Sequence, residues 1–269
     1  NGNYSGACMT IRRASDGTTQ AIGFVGEEID ESAITTFCTG TSCTIQVWHD
    51  QSQTGGTGSG NDAEQTTPAN QPTIYTGGQL VKEGGRLAVT FLNDYMSLDS
   101  DTAPLAGFMM MNPTIVAGGR AYLGGLTSSD LFGPENTTGL RYRRSSTNYI
   151  TSDLSPTGNH IFSFVGTGSS VSIFQDGTGS TDNPFSAGAL SGINQIFRRQ
   201  TLYLVSGNAQ EIILYEDNRV SDRTDIEGNI SAYYQSAKLL DEQYGSGAEA
   251  AYSVRQLKRD NTECMVIRR

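Results

Sequence analysis

With 269 residues and a formal net charge of −10 at neutral pH, the chain is long enough for one large β-rich unit and too acidic to hold a phosphate backbone. Its 32 glycines against 7 prolines suit many strands joined by tight turns better than a disordered linker. No apolar run is long enough to span a bilayer, so neither nucleic acid nor membrane insertion is expected.

The first strand is expected at Cys8-Met9-Thr10-Ile11-Arg12-Arg13, a segment that returns at the far end as Cys264-Met265-Val266-Ile267-Arg268-Arg269. Further β-rich runs follow at 44–49, 87–92, 107–111, 140–144, 160–165, 171–174, 202–205 and 211–215, separated by Gly, Asn and Asp clusters. The glycine-rich stretch 54–60 reads as a loop, since no Lys-Ser or Lys-Thr follows to make a phosphate cradle. The arginines of 141–144 and 198–199 fall inside strand-like segments. One helix is expected, starting at Ser221 or Asp222, with Ile226, Ile230, Tyr233 and Tyr234 on the face that packs on the sheets. Gly245-Ser246-Gly247 then breaks the chain, dividing a unit at 1–245 from a terminal segment at 246–269. The fold class expected is an all-β sandwich with a C-terminal helix and an extra terminal strand.

Cys38 and Cys43 frame Thr-Gly-Thr-Ser, a turn that would let the two sulfurs meet; a pair of buried thiols is the alternative. Cys8 and Cys264 occupy equivalent places in the terminal repeat and would pair with each other, across a subunit boundary, or not at all. Glycosylation sequons stand at Asn3, Asn136 and Asn229.

Phe37-Cys38, Cys43, Trp48-His49-Asp50-Gln51-Ser52 and Gly60-Asn61-Asp62-Ala63 together resemble a pattern of concanavalin A-like, laminin-G-like jelly-roll domains of phage and marine bacterial surface proteins. The pattern is also similar to the catalytic domain of the arabinofuranosidase B family. Ile11 to Asp16, Ala251 to Leu257, and Glu211 to Tyr215 with the helix after them extend the likeness over most of the chain. In the family the Ala-Tyr-Ser-Val-Arg-Gln-Leu strand comes first, whereas here it follows the helix. The resemblance therefore implies a jelly-roll sandwich whose terminal residues, Tyr252, Val254, Leu257, Met265 and Ile267, serve a neighbouring copy.

On these grounds the expected function is a non-enzymatic structural subunit of an extracellular fibre, cell-surface array or virion appendage, with copies of itself and surface glycans as partners and no catalytic residues. A glycan-binding adhesin module and an arabinofuranosidase-like glycosidase are the alternatives. The adjacent Cys-Cys pair of the arabinofuranosidase family is absent. Carbohydrate would be met by Trp48 as a stacking platform and by His49, Asp50, Asn61 and Asp62, although Asp50-Gln51-Ser52 also reads as a side-chain-supported turn. No cofactor is expected. Calcium is the one metal considered, at the oxygen-rich loops holding Asp176, Asp182 and Asn183, or Asn93, Asp94, Asp99 and Asp101.

Overall fold

The computed structural model describes residues 4–26, 28–52, 60–115, 120–201, 203–244 and 265–268. In chain order the strands used below are β1 (Met9–Arg13), β2 (Thr19–Ile22), β3 (Cys43–Trp48), β4 (Ala63–Glu64), β5 (Thr73–Thr76), β6 (Val89–Phe91), β7 (Met96–Thr102), β8 (Ala106–Ile115), β9 (Leu123–Gly124), β10 (Leu131–Pro134), β11 (Leu140–Arg144), β12 (Thr147–Ile150), β13 (His160–Gly166), β14 (Val171–Gln175), β15 (Ile193–Ile196), β16 (Arg198–Arg199), β17 (Tyr203–Leu204), β18 (Ser206–Tyr215) and β19 (Met265–Arg268). The helices are α1 (Glu31–Phe37) and α2 (Arg223–Tyr244).

Pairing runs β2-β1-β3-β4-β7-β15-β9-β10-β11-β12 through one layer and β5-β6-β18-β8-β13-β14 through the other, with β5 also joined to β3. All these pairs are antiparallel. The layers face each other across a core in which Tyr122 meets Phe162, and Phe132 and Tyr142 both meet Phe164. Alternation decides which residues go there. Along β8, Met109 and Met111 point into this core while Phe108 and Met110 turn the other way.

That second face is covered by α2, whose Ile230 and Tyr234 are buried against Phe108, Met110, Ile161 and Ile213, with Ile226 and Tyr233 partly buried beside them. The helix starts at Arg223, one residue past Asp222. Its apolar stripe is the one the sequence spacing predicts, because residues three and four apart share a helix face.

One short helix went unanticipated. In α1, Asp30 caps the N-terminus by accepting from the backbone N–H of Ala33 at 2.9 Å, and Ile34 is buried underneath. The helix then leads into a closed hairpin, for Cys38 and Cys43 are joined by a disulfide. The loop so closed is short and removes little chain entropy. Opening this bond alone, by replacing Cys38 and Cys43 with serine, should therefore leave the fold intact and lower stability by about 2 kcal/mol or less, read as a small fall in melting temperature with unchanged far-ultraviolet circular dichroism.

Met265 to Arg268 pair in parallel with Ile212 to Tyr215 of the same chain. β6 pairs with β18 from Gly207 to Ala209, and β19 lies alongside β18 from Ile212 to Tyr215. Tyr252, Val254, Leu257 and Cys264 lie outside the described residues, as does the 245–246 boundary. Cys8 is buried and its thiol is not free.

Candidate functional site

The loop after β3 is a closed hydrogen-bonded hub. His49 bridges Thr10 Oγ1 at 3.0 Å and Asp62 Oδ2 at 2.8 Å, and the other oxygen of Asp62 accepts from the Asp50 backbone N–H at 2.7 Å. Asp50 accepts from the Ser52 N–H, the Ser52 hydroxyl and the Asn61 N–H. Asn61 exchanges two hydrogen bonds with the Ser100 backbone, at 2.9 and 2.6 Å. Gly60 is the residue that permits this closure, since a Cβ there would stand 2.6 Å from Asp50 Cβ. Burial and the nearby Asp62 and Asp50 carboxylates push the Tyr4 phenol up to about 12. Burial and Asp62 likewise raise Asp99, against the pull of His49.

Trp48 is 0 % exposed, so it cannot serve as the sugar platform the sequence suggested. A register shift between Ile45 and Val47 of β3 returns Trp48 to the inward side with Ile45 and Cys43, and it is fully buried there. Asp50 and Asn61 are buried too, their side chains committed to backbone N–H and C=O groups of the loop and of Ser100. The turn alternative describes this motif better than a binding rim.

The oxygen-rich loops are also spent on the protein itself. Asp182 accepts from the Ser152 N–H and hydroxyl, Asn183 Oδ1 from the Ile173 N–H, Asp94 from the Leu92 N–H and Asp101 from Asn194. Among the described residues no three His, Cys, Asp or Glu side chains converge as metal ligands. Asn136 and Asn229 are exposed, and Asn3 lies outside the described residues.

A cavity of about 300 Å³ lies between α2 and the β13–β14 hairpin, lined by Asp176, Arg223, Glu227 and Ser231 among others. Asp176 holds the hairpin, accepting from the Ile161 N–H at 2.9 Å and contacting His160 Nδ1 at 2.6 Å. Glu227 accepts from the Ser163 hydroxyl and pairs with Arg223 one helical turn earlier. Burial nonetheless raises its pKa above 4.5, with Asp176 adding to the rise and Ser163 and Arg223 opposing it. Protonation is thus favoured more in the folded than in the unfolded protein. As pH falls through 4.5 from neutrality, the wild type should gain stability relative to Glu227→Gln, and parallel melting curves of the two proteins would refute this.

The outer face of the first layer carries the residues that sequence spacing missed. Arg141 and Arg143 alternate with the inward Leu140 and Tyr142 along β11, opposite Gly133 and Leu131 of β10. Over the neighbouring β9, Gly124 lets β16 lie directly on the sheet, because a Cβ there would be 2.7 Å from the Arg198 carbonyl and 2.8 Å from Arg199 Cβ. Arg141 and Arg199 are each only 6 % exposed. Glu135, just past β10, puts Oε2 3.0 Å from Arg141 Nη1 without the geometry of a hydrogen bond. Burial lowers the pKa of Arg141, Glu135 opposes this, and Arg199 and Arg143 add to the lowering. Arginines at i and i+2 of β11, on the face opposite Leu140 and Tyr142, were the available signal.

Residues 1–91 match the family model of the α-L-arabinofuranosidase B catalytic domain. This segment holds β1 to β6, the disulfide hairpin and the His49–Asp62 hub. A stretch of the chain is similar to α-L-arabinofuranosidase B of Emericella nidulans, with 41% identity over 76 residues, covering 27% of this chain and 14% of that protein. Among solved structures, an arabinofuranosidase complexed with arabinofuranosyl-α-1,2-xylobiose gives a TM-score of 0.48 at 17% identity, over 78% of this chain and 55% of the other. A GH54 α-L-arabinofuranosidase soaked with a cyclic sulfate inhibitor gives 0.46 over the same shares. The chain thus spans a small part of the curated relative and about half of these solved chains. The likeness of the first third to an enzyme's catalytic domain overturns the expectation of a non-enzymatic fibre or virion subunit without catalytic residues. No described helix is long and apolar enough to cross a membrane.

Proposed function

We propose that this chain forms the β-sandwich of a glycoside hydrolase of the α-L-arabinofuranosidase type, acting on arabinofuranosyl groups of extracellular glycans. The observation that carries the proposal is the match of residues 1–91 to that catalytic domain, together with the 76-residue stretch that is 41% identical to an α-L-arabinofuranosidase B. The Cys38–Cys43 disulfide fits an oxidising, extracellular setting.

Hydrolysis of a glycoside needs two carboxyl groups flanking the scissile bond. Asp50, Asp130 and Glu227 are held by hydrogen bonds that build turns or anchor α2, which leaves them poorly placed for chemistry. Glu135 differs. Its side chain is 26 % exposed at the mouth of the outer face, and Oε2 keeps an unused acceptor beside the Arg141 guanidinium. We assign Glu135 as one of the two groups, reaching substrate as nucleophile or base, with Arg141 fixing its orientation.

The test is release of 4-nitrophenol from 4-nitrophenyl α-L-arabinofuranoside. The wild type should turn over, and Glu135→Gln should lose about 10²- to 10⁴-fold in rate with little change in melting temperature. A wild type inert toward arabinofuranosides would overturn the hydrolase proposal. A variant as fast as the wild type would remove Glu135 from the reaction.

A further inference from the structure

We infer that Arg141, Arg143 and Arg199 form a binding site for an anionic group, a carboxylate or sulfate, carried by the glycan that occupies the outer face of the first layer. The anion half of this inference rests on the arginines, and the glycan half on the hydrolase proposal.

Elsewhere in the described residues, Arg13 and Arg86 each leave only one buried Nε without a hydrogen-bond partner and face a carboxylate, and other arginines are paired. Arg144 binds Asp130, Arg219 binds Asp217 and Asp222, and Arg198 donates to Gln195. The three on the outer face are not provided for in that way. Arg141 Nε and Nη2, Arg143 Nε, and Arg199 Nε and Nη1 are buried donors without hydrogen-bond partners, and one carboxylate, Glu135, stands against three guanidinium groups. Such donors cost stability unless something accepts from them. A planar carboxylate or a sulfate suits forked guanidinium donors, which can bind two oxygens at once.

The surroundings select among anions. An overall charge of −10 repels a polyphosphate chain at long range, so a local patch this small favours a singly charged group on an otherwise neutral ligand. Tyr203, 37 % exposed, lies with its ring 4.5 Å from the Arg199 guanidinium carbon. An exposed aromatic ring at the rim of a polar site is a surface on which a sugar ring stacks.

Binding would be measured with an oligosaccharide bearing a single uronate as the carboxylate glycan, a monosulfated oligosaccharide as the sulfate glycan, and neutral arabinan, inorganic sulfate and an oligonucleotide as controls. The wild type should bind at least one charged glycan more tightly than arabinan. Arg143→Gln and Arg141→Met should each weaken that binding about tenfold or more. Arg143 is half-buried, so its variant tests the site even if Arg141→Met fails to fold. Equal affinity for arabinan, unaltered affinity in Arg143→Gln, or binding confined to inorganic sulfate or to the oligonucleotide would overturn the inference. Charged-glycan binding by a protein that hydrolyses no arabinofuranoside would instead remove the hydrolase proposal and leave the anion site standing.

Discussion

Replacing Trp48 by alanine should cost about 3–5 kcal/mol. The indole ends β3 between Met9 of β1 and Ala63 of β4, fully enclosed, so truncation opens a cavity in the part of the core that the first ninety residues build. For a chain of this size that is a fall in melting temperature of roughly 10 °C or more. Denaturant unfolding of the purified variant measures it. The competing view, in which Trp48 is a stacking platform, predicts nearly wild-type stability with lost carbohydrate binding. That pattern would show the side chain to be reachable by ligand and would reopen the 48–62 loop as a binding rim.

How far the sequence reveals this molecule depends on how local each signal is. Alternation in 160–165 and the spacing of Ile226, Ile230, Tyr233 and Tyr234 are local, and both elements form as the pattern predicts. The hub at His49, Asp50, Asn61 and Asp62 was legible as polar residues around a turn, but its purpose was not. Whether Asp50 faces a ligand or the Asn61 N–H depends on how Gly60 brings the returning chain against it. The α1 helix escaped because Ile34, Thr35 and Thr36 are poor helix formers in a segment of only seven residues, which Asp30 and the following disulfide must stabilise. The arginine face was hidden for a different reason. Arg141 and Arg143 look like outward strand residues, and they become a cluster only when β16, far along the chain, is laid over Gly124. Pairing of the terminal strand with β18 was missed because the sequence shows a repeat but not which edge remains open.

The face that carries those arginines should itself collapse when Asp130 is replaced by alanine, at a cost of about 3–5 kcal/mol. Asp130 is buried at the entrance to β10 and accepts from four donors: the Ser145 N–H at 2.6 Å, the Ser191 N–H at 2.9 Å, Arg144 Nη1 at 3.1 Å and the Ser191 hydroxyl at 3.2 Å. Ser145 sits in the left-handed region at φ +56°, in the turn between β11 and β12. That conformation is unfavourable for a residue with a Cβ, and the carboxylate helps to hold it. One carboxylate therefore ties the β11–β12 turn to the segment leading into β15, which brackets the sheet on which Arg141 and Arg143 stand. Alanine leaves two backbone N–H groups and one guanidinium to find other partners, whereas asparagine keeps one acceptor oxygen and should lose less. The expected order of unfolding free energy is wild type, then Asp130→Asn, then Asp130→Ala, with charged-glycan affinity falling in the same order. An alanine variant within about 1 kcal/mol of the wild type would mean that water replaces the carboxylate at all four donors, and that the arginine face is held by its strand pairing alone.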